Sequence, residues 1–97
     1  MNPTIAKAIV NRELISFTYN GYPRLVEPHT YGLSSTGKES LLAYQVKGGH
    51  ASGHNEPWHL FNIAKMAGVV STGRLFTGPR DSYKRTWPPM RAIYIQL

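Results

Sequence analysis

The chain has no cysteine among its 97 residues. Neither a disulfide nor a metal site built on thiolates can form. It also has no apolar run near the roughly 20 residues that span a bilayer. No apolar leader is recognised, because Lys7, Arg12 and Glu13 interrupt the first residues. We therefore expect a cytoplasmic protein with no membrane contact.

Acidic residues are few: five Asp and Glu stand against eleven Lys and Arg, and the formal net charge is +6. An excess of this size favours anionic partners and says nothing about the fold. The five acids are scattered, and none lies in a recognisable catalytic motif. The sequence therefore predicts a binding protein that is not an enzyme and uses no cofactor.

The length predicts a single domain, which begins with a short helix. Asn2 is a typical N-cap residue and Pro3 suits the first helical position. Ile5 and Ile9 then lie on one face at i, i+4 spacing. A helix over about residues 3–12 is predicted, and it must pack against the rest of the chain because so short a helix is marginal alone.

Beyond residue 13 the hydrophobic period changes from that of a helix to that of a strand. Asn20-Gly21 separates the first two strand-like runs and is typical of a type I′ hairpin turn, because both residues must take positive φ. Pro28 is expected to end the second strand or to mark an edge. Further strands are predicted over 31–33, 41–47, 58–63, 69–70 and 92–97, the last of them as a closing strand.

One helix and five or six short strands predict a mainly β domain, a small closed antiparallel barrel over about residues 14–97. Closure is expected because it removes exposed strand edges that promote aggregation. Residues 48–56 are predicted to form an exposed loop, and 73–89 receive no assignment. The predicted core comprises Ile5, Ile9, Ile15, Phe17, Leu42 and Ile93.

Residues 32–39, G-L-S-S-T-G-K-E, nearly match a phosphate-binding loop. Glu39 replaces the hydroxyl that would hold magnesium, and a strand rather than a helix is expected to follow. We interpret the segment as a hairpin turn and expect no hydrolysis of ATP or GTP.

Three histidines, His50, His54 and His59, suggest a metal site at first sight. The first two are four residues apart in a glycine-rich segment rather than on a helix face. A closed zinc site needs four ligands in tetrahedral geometry, and the only nearby carboxylate is Glu56. We therefore predict no metal site.

Basic and aromatic residues are interleaved along the predicted strands. Rings stack on nucleobases and cations neutralise phosphates, so this pattern suits a nucleic-acid surface. Tyr19 and Arg24 flank the first turn, and Tyr44, Trp58 and His59 follow in later strands. The same rings would also suit the core of a barrel, and both interpretations stay open.

Residues 15–29, ISFTYNGYPRLVEPH, resemble the opening of WYL domains, which typically run v-x-f-x-Y-x-g-x-x-R-x-v-e-P-h after a short helix carrying Ala-Ile. Here Ala8-Ile9 fits that helix. Residues 37–44 resemble the family strand g-x-W-Y-L-x-a-y, and 58–66 resemble W-R-x-F-R-L-D-R-I. The resemblance spans about residues 5–70, and the name-giving Trp-Tyr-Leu is Glu-Ser-Leu over 39–41.

WYL domains are Sm-like or SH3-like β-barrels that usually follow a winged-helix DNA-binding domain in bacterial transcription regulators. They are thought to sense nucleic-acid or nucleotide ligands. The resemblance therefore implies a free-standing barrel that binds a nucleic acid or a (cyclic) nucleotide, accessory to regulation or to phage–host conflict. It implies ligand contacts at Arg24, His29, Tyr44, His59 and Lys65, and Tyr19 joins them as an aromatic beside the first turn.

Two functions stay open after this comparison. In the first, Arg24 contacts a phosphate, and a bend at Pro28 brings His29 onto the same rim. Its alternative is a solvated ion pair of Arg24 with Glu27 or Glu13. In the second, the same scaffold is a protein-interaction module, an inhibitor or an oligomerisation unit that includes homo-oligomers.

Overall fold

A computed structural model describes residues 1–49 and 56–97, which form one short helix and six strands. The elements are α1 (Pro3–Asn11), β1 (Glu13–Tyr19), β2 (Tyr22–Ser34), β3 (Glu39–Gly48), β4 (Trp58–Asn62), the 3-10 helix η1 (Ile63–Lys65), β5 (Ala67–Leu75) and β6 (Met90–Gln96). The mainly β class with a short N-terminal helix is thus confirmed. Most of the predicted 48–56 loop lies outside the described residues.

Helix α1 begins at the cap that the sequence predicts, and it ends at a left-handed residue. The Asn2 side chain accepts hydrogen bonds from the backbone N–H groups of Thr4 and Ile5, at 3.0 and 3.2 Å. The helix ends one residue earlier than predicted, because Arg12 takes the left-handed conformation with φ 55°. Its apolar face, which includes Ile9, is buried against β1, β2 and β5.

The first hairpin forms at the predicted turn. Asn20 and Gly21 have φ of 51° and 80°, and Tyr19 pairs with Tyr22 across the turn. Residues 32–39 form the next hairpin, where the Ser34 N–H donates to the Lys38 carbonyl at 2.8 Å. The run that resembles a phosphate-binding loop is therefore followed by β3 instead of a helix.

Strand β2 organises the sheet, whose order is β4-β3-β2-β1-β5 with every pairing antiparallel. One edge of β2 pairs with β3, and the other pairs first with β1 and then with β6. The expectation that Pro28 ends this strand is wrong. Pairing with β1 stops at Val26 and pairing with β6 starts at Thr30, so the missing N–H of Pro28 coincides with a gap in that edge.

The two end strands of the sheet, β4 and β5, are joined by only residues 63–66. So short a connection requires the sheet to curve until its two ends lie near each other. These end strands do not pair with each other in the described residues, so the sheet is open and closure of a barrel is not shown. The expectation that 92–97 closes the sheet is wrong, because β6 extends the β1 side of β2.

Five of the six predicted core residues are buried, and Ile93 is the exception at 44% exposed. Strand β6 lies at an edge and contributes to the core only near its end, where Ile95 and Leu97 pack. The core also contains Tyr31, which is fully buried. Its hydroxyl accepts a hydrogen bond from the Asn2 N–H at 2.5 Å and donates to Glu39. Among the described helices, none is long and apolar enough to cross a membrane.

Candidate anion-binding site

Arg24 lies near the start of β2, where it pairs with Phe17 of β1 and Gly48 of β3. The whole Arg24 residue is only 5% exposed. One terminal nitrogen donates to the Gln45 side-chain oxygen at 3.1 Å, and the other donates to the Tyr19 carbonyl at 3.2 Å. The Nε atom is buried and has no hydrogen-bond partner in the described residues.

No carboxylate among residues 1–49 and 56–97 lies within 4.0 Å of this guanidinium. The two predicted partners are engaged elsewhere, since Glu13 accepts from Ser71 and Glu27 pairs with Arg80. Residues 50–55 contain no acid. Burial lowers the pKa of Arg24, because desolvation disfavours the charged form. The predicted solvated ion pair is therefore wrong, and an anionic ligand could supply the missing charge.

Aromatic rings surround the Arg24 charge. Its central carbon lies 5.5 Å from the Tyr19 ring centre, and 5.7 Å from those of Tyr22 and Phe61. Cation–π attraction at these distances offsets part of the cost of burial. The Tyr19 hydroxyl accepts a hydrogen bond from the Asn62 N–H at 3.0 Å, which fixes the ring beside the cation.

Arg24 lines a cleft of about 220 Å³ between the first hairpin and β4. The lining residues are Tyr19, Asn20, Arg24, Glu56, Trp58, His59, Leu60 and Phe61. Three predicted ligand residues, Tyr19, Arg24 and His59, thus meet in one place, although they come from different strands. We call this cleft the Arg24 cleft.

His29 is placed elsewhere, fully buried behind the Trp58 ring at 4.8 Å between ring centres. Its Nε2 accepts from the Arg80 N–H at 3.2 Å, so Nδ1 carries the proton and donates to the Glu27 carbonyl at 2.8 Å. Burial lowers the pKa of His29 and favours this neutral form. The bend at Pro28 does not bring His29 into the cleft, and we leave it out of the site.

Two further predicted residues also lie outside the cleft lining. Tyr44 holds the Arg80 guanidinium against its ring at 4.0 Å and contacts Trp58 edge-on at 5.3 Å. Lys65 is exposed on η1. Tyr44 therefore supports the neighbouring segment, and the structure does not place Lys65 beside Arg24.

The unassigned stretch between β5 and β6, residues 76–89, crosses the sheet as a strap. Both Glu27 carboxylate oxygens accept from the Arg80 side chain, at 2.7 and 3.0 Å. The Tyr83 hydroxyl lies 2.5 Å from the Thr30 hydroxyl. We call residues 76–89 the strap, and its contacts with β2 make it part of the folded domain.

The strap forms a second cleft, of about 290 Å³, that the sequence analysis missed. It is lined by Leu42, Glu56, Trp58, Ser82, Tyr83, Lys84 and Trp87. The only sequence signal was the mixture of cations and aromatics between residues 80 and 87. No period or turn motif assigned that stretch to a position on the sheet. We call this cleft the Trp87 cleft.

No group of three or more His, Cys, Asp or Glu that could hold a metal ion occurs within the part of the chain that the structure describes. His50 and His54 lie outside that part. Comparisons with protein-family models, with curated proteins and with solved structures found no match.

Proposed function

We propose that this chain is a WYL-type, Sm-like module that binds the phosphate groups of a nucleic acid or nucleotide at Arg24. The observation that carries the proposal is a guanidinium that is 5% exposed, lines an open cleft and has no carboxylate partner in the described residues. The sequence resemblance to WYL domains over residues 5–70 supports the same conclusion. The linkage of the two end strands through η1 supports the barrel scaffold.

A guanidinium suits phosphate because it offers five N–H donors in a fixed plane. In Arg24, one donor is used by Gln45 and one by the Tyr19 carbonyl, while Nε has no partner in the described residues. Each terminal nitrogen keeps a second N–H, and a phosphate oxygen that accepts from one of these would form a charge-assisted hydrogen bond, which is stronger than a neutral one. The contacts that hold the guanidinium also pre-organise it for the ligand.

The cleft walls suit the rest of a nucleotide. Tyr19, which is partly exposed, offers aromatic surface beside the cation, and the net charge of +6 attracts polyanions. His59 lies on the same wall, with its ring centre 5.4 Å from that of Phe61. The proposed role is to bind the ligand, without catalysing a reaction.

Arg24→Gln removes the proposed phosphate contact, and Arg74→Gln is the matched control, which removes the same charge from an exposed position on β5. A fluorescent oligothymidylate of about 10 nucleotides is titrated by anisotropy at about 50 and 200 mM salt. We expect steep salt dependence, and a loss of about 1–3 kcal/mol of binding free energy in Arg24→Gln. Arg74→Gln should bind nearly as the wild type does.

Because Arg24 is buried, thermal unfolding of each variant is measured beside binding. Arg24→Lys keeps the charge and loses the planar fork, so its affinity should lie between wild type and Arg24→Gln. Equal binding by wild type and folded Arg24→Gln, or no binding by either at low salt, would overturn the proposal.

The second candidate function is protein interaction through β5. The outer edge of this strand is unpaired in the described residues, and Val70 and Leu75 are 53% and 69% exposed. A free edge can accept a strand from another chain. Light scattering across a concentration series tests self-association, and a constant monomer mass would remove the homo-oligomer version.

A further inference from the structure

The Arg24 cleft and the Trp87 cleft are neighbours, because Trp58 and Glu56 line both of them. Their volumes are about 220 and 290 Å³. Sites for complete drug-sized ligands hold about 300–1,000 Å³. Each cleft therefore fits one part of a nucleotide, and the two together fit a phosphate with an adjoining base.

Three aromatic side chains, those of Trp58, Tyr83 and Trp87, line the Trp87 cleft. Tyr83 stacks against Trp58 with ring centres 5.9 Å apart and an angle of 25° between the rings. The Trp58 N–H donates to the Ser82 hydroxyl at 2.9 Å, which holds the indole in place. Trp87, in contrast, is 55% exposed. Ring surface of this size beside a rigid aromatic wall is suited to stacking a planar group.

The aromatic lining favours a base in the Trp87 cleft, because the charges are alike in the two clefts: each has one cation and shares the carboxylate of Glu56. The same carboxylate can accept a hydrogen bond from an N–H group of a base. Lys84 also lines this cleft, and its ammonium can neutralise the backbone phosphate that follows the base.

We propose that the Trp87 cleft is a base-stacking subsite for single-stranded nucleic acid, in which Trp87 covers the base whose adjoining phosphate lies at Arg24. This inference rests on the proposed function, because the Arg24 phosphate fixes where the base must fall. It goes further by identifying the ligand as a strand with bases and by assigning a role to the strap.

The experiment uses two probes of equal length: an oligothymidylate of about 10 nucleotides and an abasic strand with the same sugar-phosphate backbone. Trp58 and Trp87 are the only two tryptophans in the sequence; Trp87 lines this cleft and Trp58 lines both clefts, so tryptophan fluorescence reports on ligand in the two neighbouring clefts. We expect the oligothymidylate to quench the fluorescence and to bind more tightly than the abasic strand.

Trp87→Ala should weaken binding of the oligothymidylate by roughly 5- to 150-fold, the range for losing one stacked base. Its affinity for the abasic strand should stay within about twofold of wild type, since stacking contributes only where a base is present. Trp87 is more than half exposed, so the variant should remain folded. Leu75→Ala, an exposed apolar residue on β5, is the control for loss of surface.

The two proposals fail in different ways. Equal binding of both probes, unchanged by Trp87→Ala but weakened by Arg24→Gln, would overturn the base subsite and leave the Arg24 site standing. Quenching that survives in Arg24→Gln with unchanged affinity would overturn the Arg24 site. If neither probe bound, both proposals would be overturned. They would also be overturned if only an added protein, and neither probe, quenched the fluorescence.

Discussion

Arg24 in β2 and Arg80 in the strap lie in contrasting environments. The Arg80 side chain is 41% exposed and holds a carboxylate, whereas Arg24 is 5% exposed and contacts none in the described residues. Hydrogen bonds that Arg80 donates to Glu27 raise the pKa of Arg80, while burial lowers that of Arg24. Arg80 therefore holds the strap against β2, whereas Arg24 is buried with no carboxylate partner in the described residues.

His29 makes stability depend on pH through its burial. Burial lowers the pKa of this ring below its ordinary 6.5. The unfolded chain therefore binds a proton more readily than the folded one, and stability falls as the pH drops below about 6.5. We expect a loss of up to about 1.4 kcal/mol per pH unit between about pH 6.5 and the lowered pKa.

His29→Asn tests this expectation by urea unfolding at several pH values. Asn keeps a donor for the Glu27 carbonyl but does not titrate, so the variant is less stable and its pH dependence is flatter. His59→Gln, measured in the same way, gives the separate contribution of the partly exposed histidine in the Arg24 cleft. An unchanged pH dependence in His29→Asn would contradict the assignment.

Two glycines fit their positions for different structural reasons: Gly32 lies in β2, and Gly21 lies in the turn before it. Gly21 has φ 80° and open space around it, whereas a Cβ at Gly32 would collide with the Ala92 carbonyl of β6. Gly21→Ala should cost about 1 kcal/mol of unfolding free energy through backbone strain. Gly32→Ala should cost about 2–3 kcal/mol, because two strands must separate.

Hydrogen exchange separates these two effects. Gly32→Ala should accelerate amide exchange in β6, and Gly21→Ala should leave that strand as protected as it is in the wild type. If both variants lose equal stability and keep β6 protected, close approach is not the reason for Gly32.

These elements also show where sequence reasoning succeeds. The helix start and the Asn20-Gly21 turn were predictable, because a cap or a turn is determined by two adjacent residues. The strap was not, since its position depends on contacts such as Arg80 with Glu27, 53 residues away. Residues 15–29, which contain Arg24, stood out through their resemblance to a family, whereas the missing carboxylate partner of Arg24 became visible only in three dimensions.

For the whole molecule, the order of assembly follows from the pairing of β2. The β1–β2 hairpin joins neighbours in sequence, whereas Thr30 and Gln96 are 66 residues apart. Distant pairings form late because closing long loops costs entropy. Ile95→Ala should therefore mainly speed unfolding, whereas Val26→Ala should slow folding. Stopped-flow kinetics in urea measures both, and slower folding of Ile95→Ala would contradict this order.

The late partner of β2 has a consequence for the chain as it is made. At about 5–20 residues per second, 66 residues take the ribosome roughly 3 to 13 seconds, while a hairpin forms in microseconds. During this interval, the edge of β2 that will pair with β6 is unpaired on the nascent chain. Pro28 and Gly32 lie at this edge, and both are poor strand formers. Their low strand propensity is expected to make this open edge a poorer template for pairing with another strand.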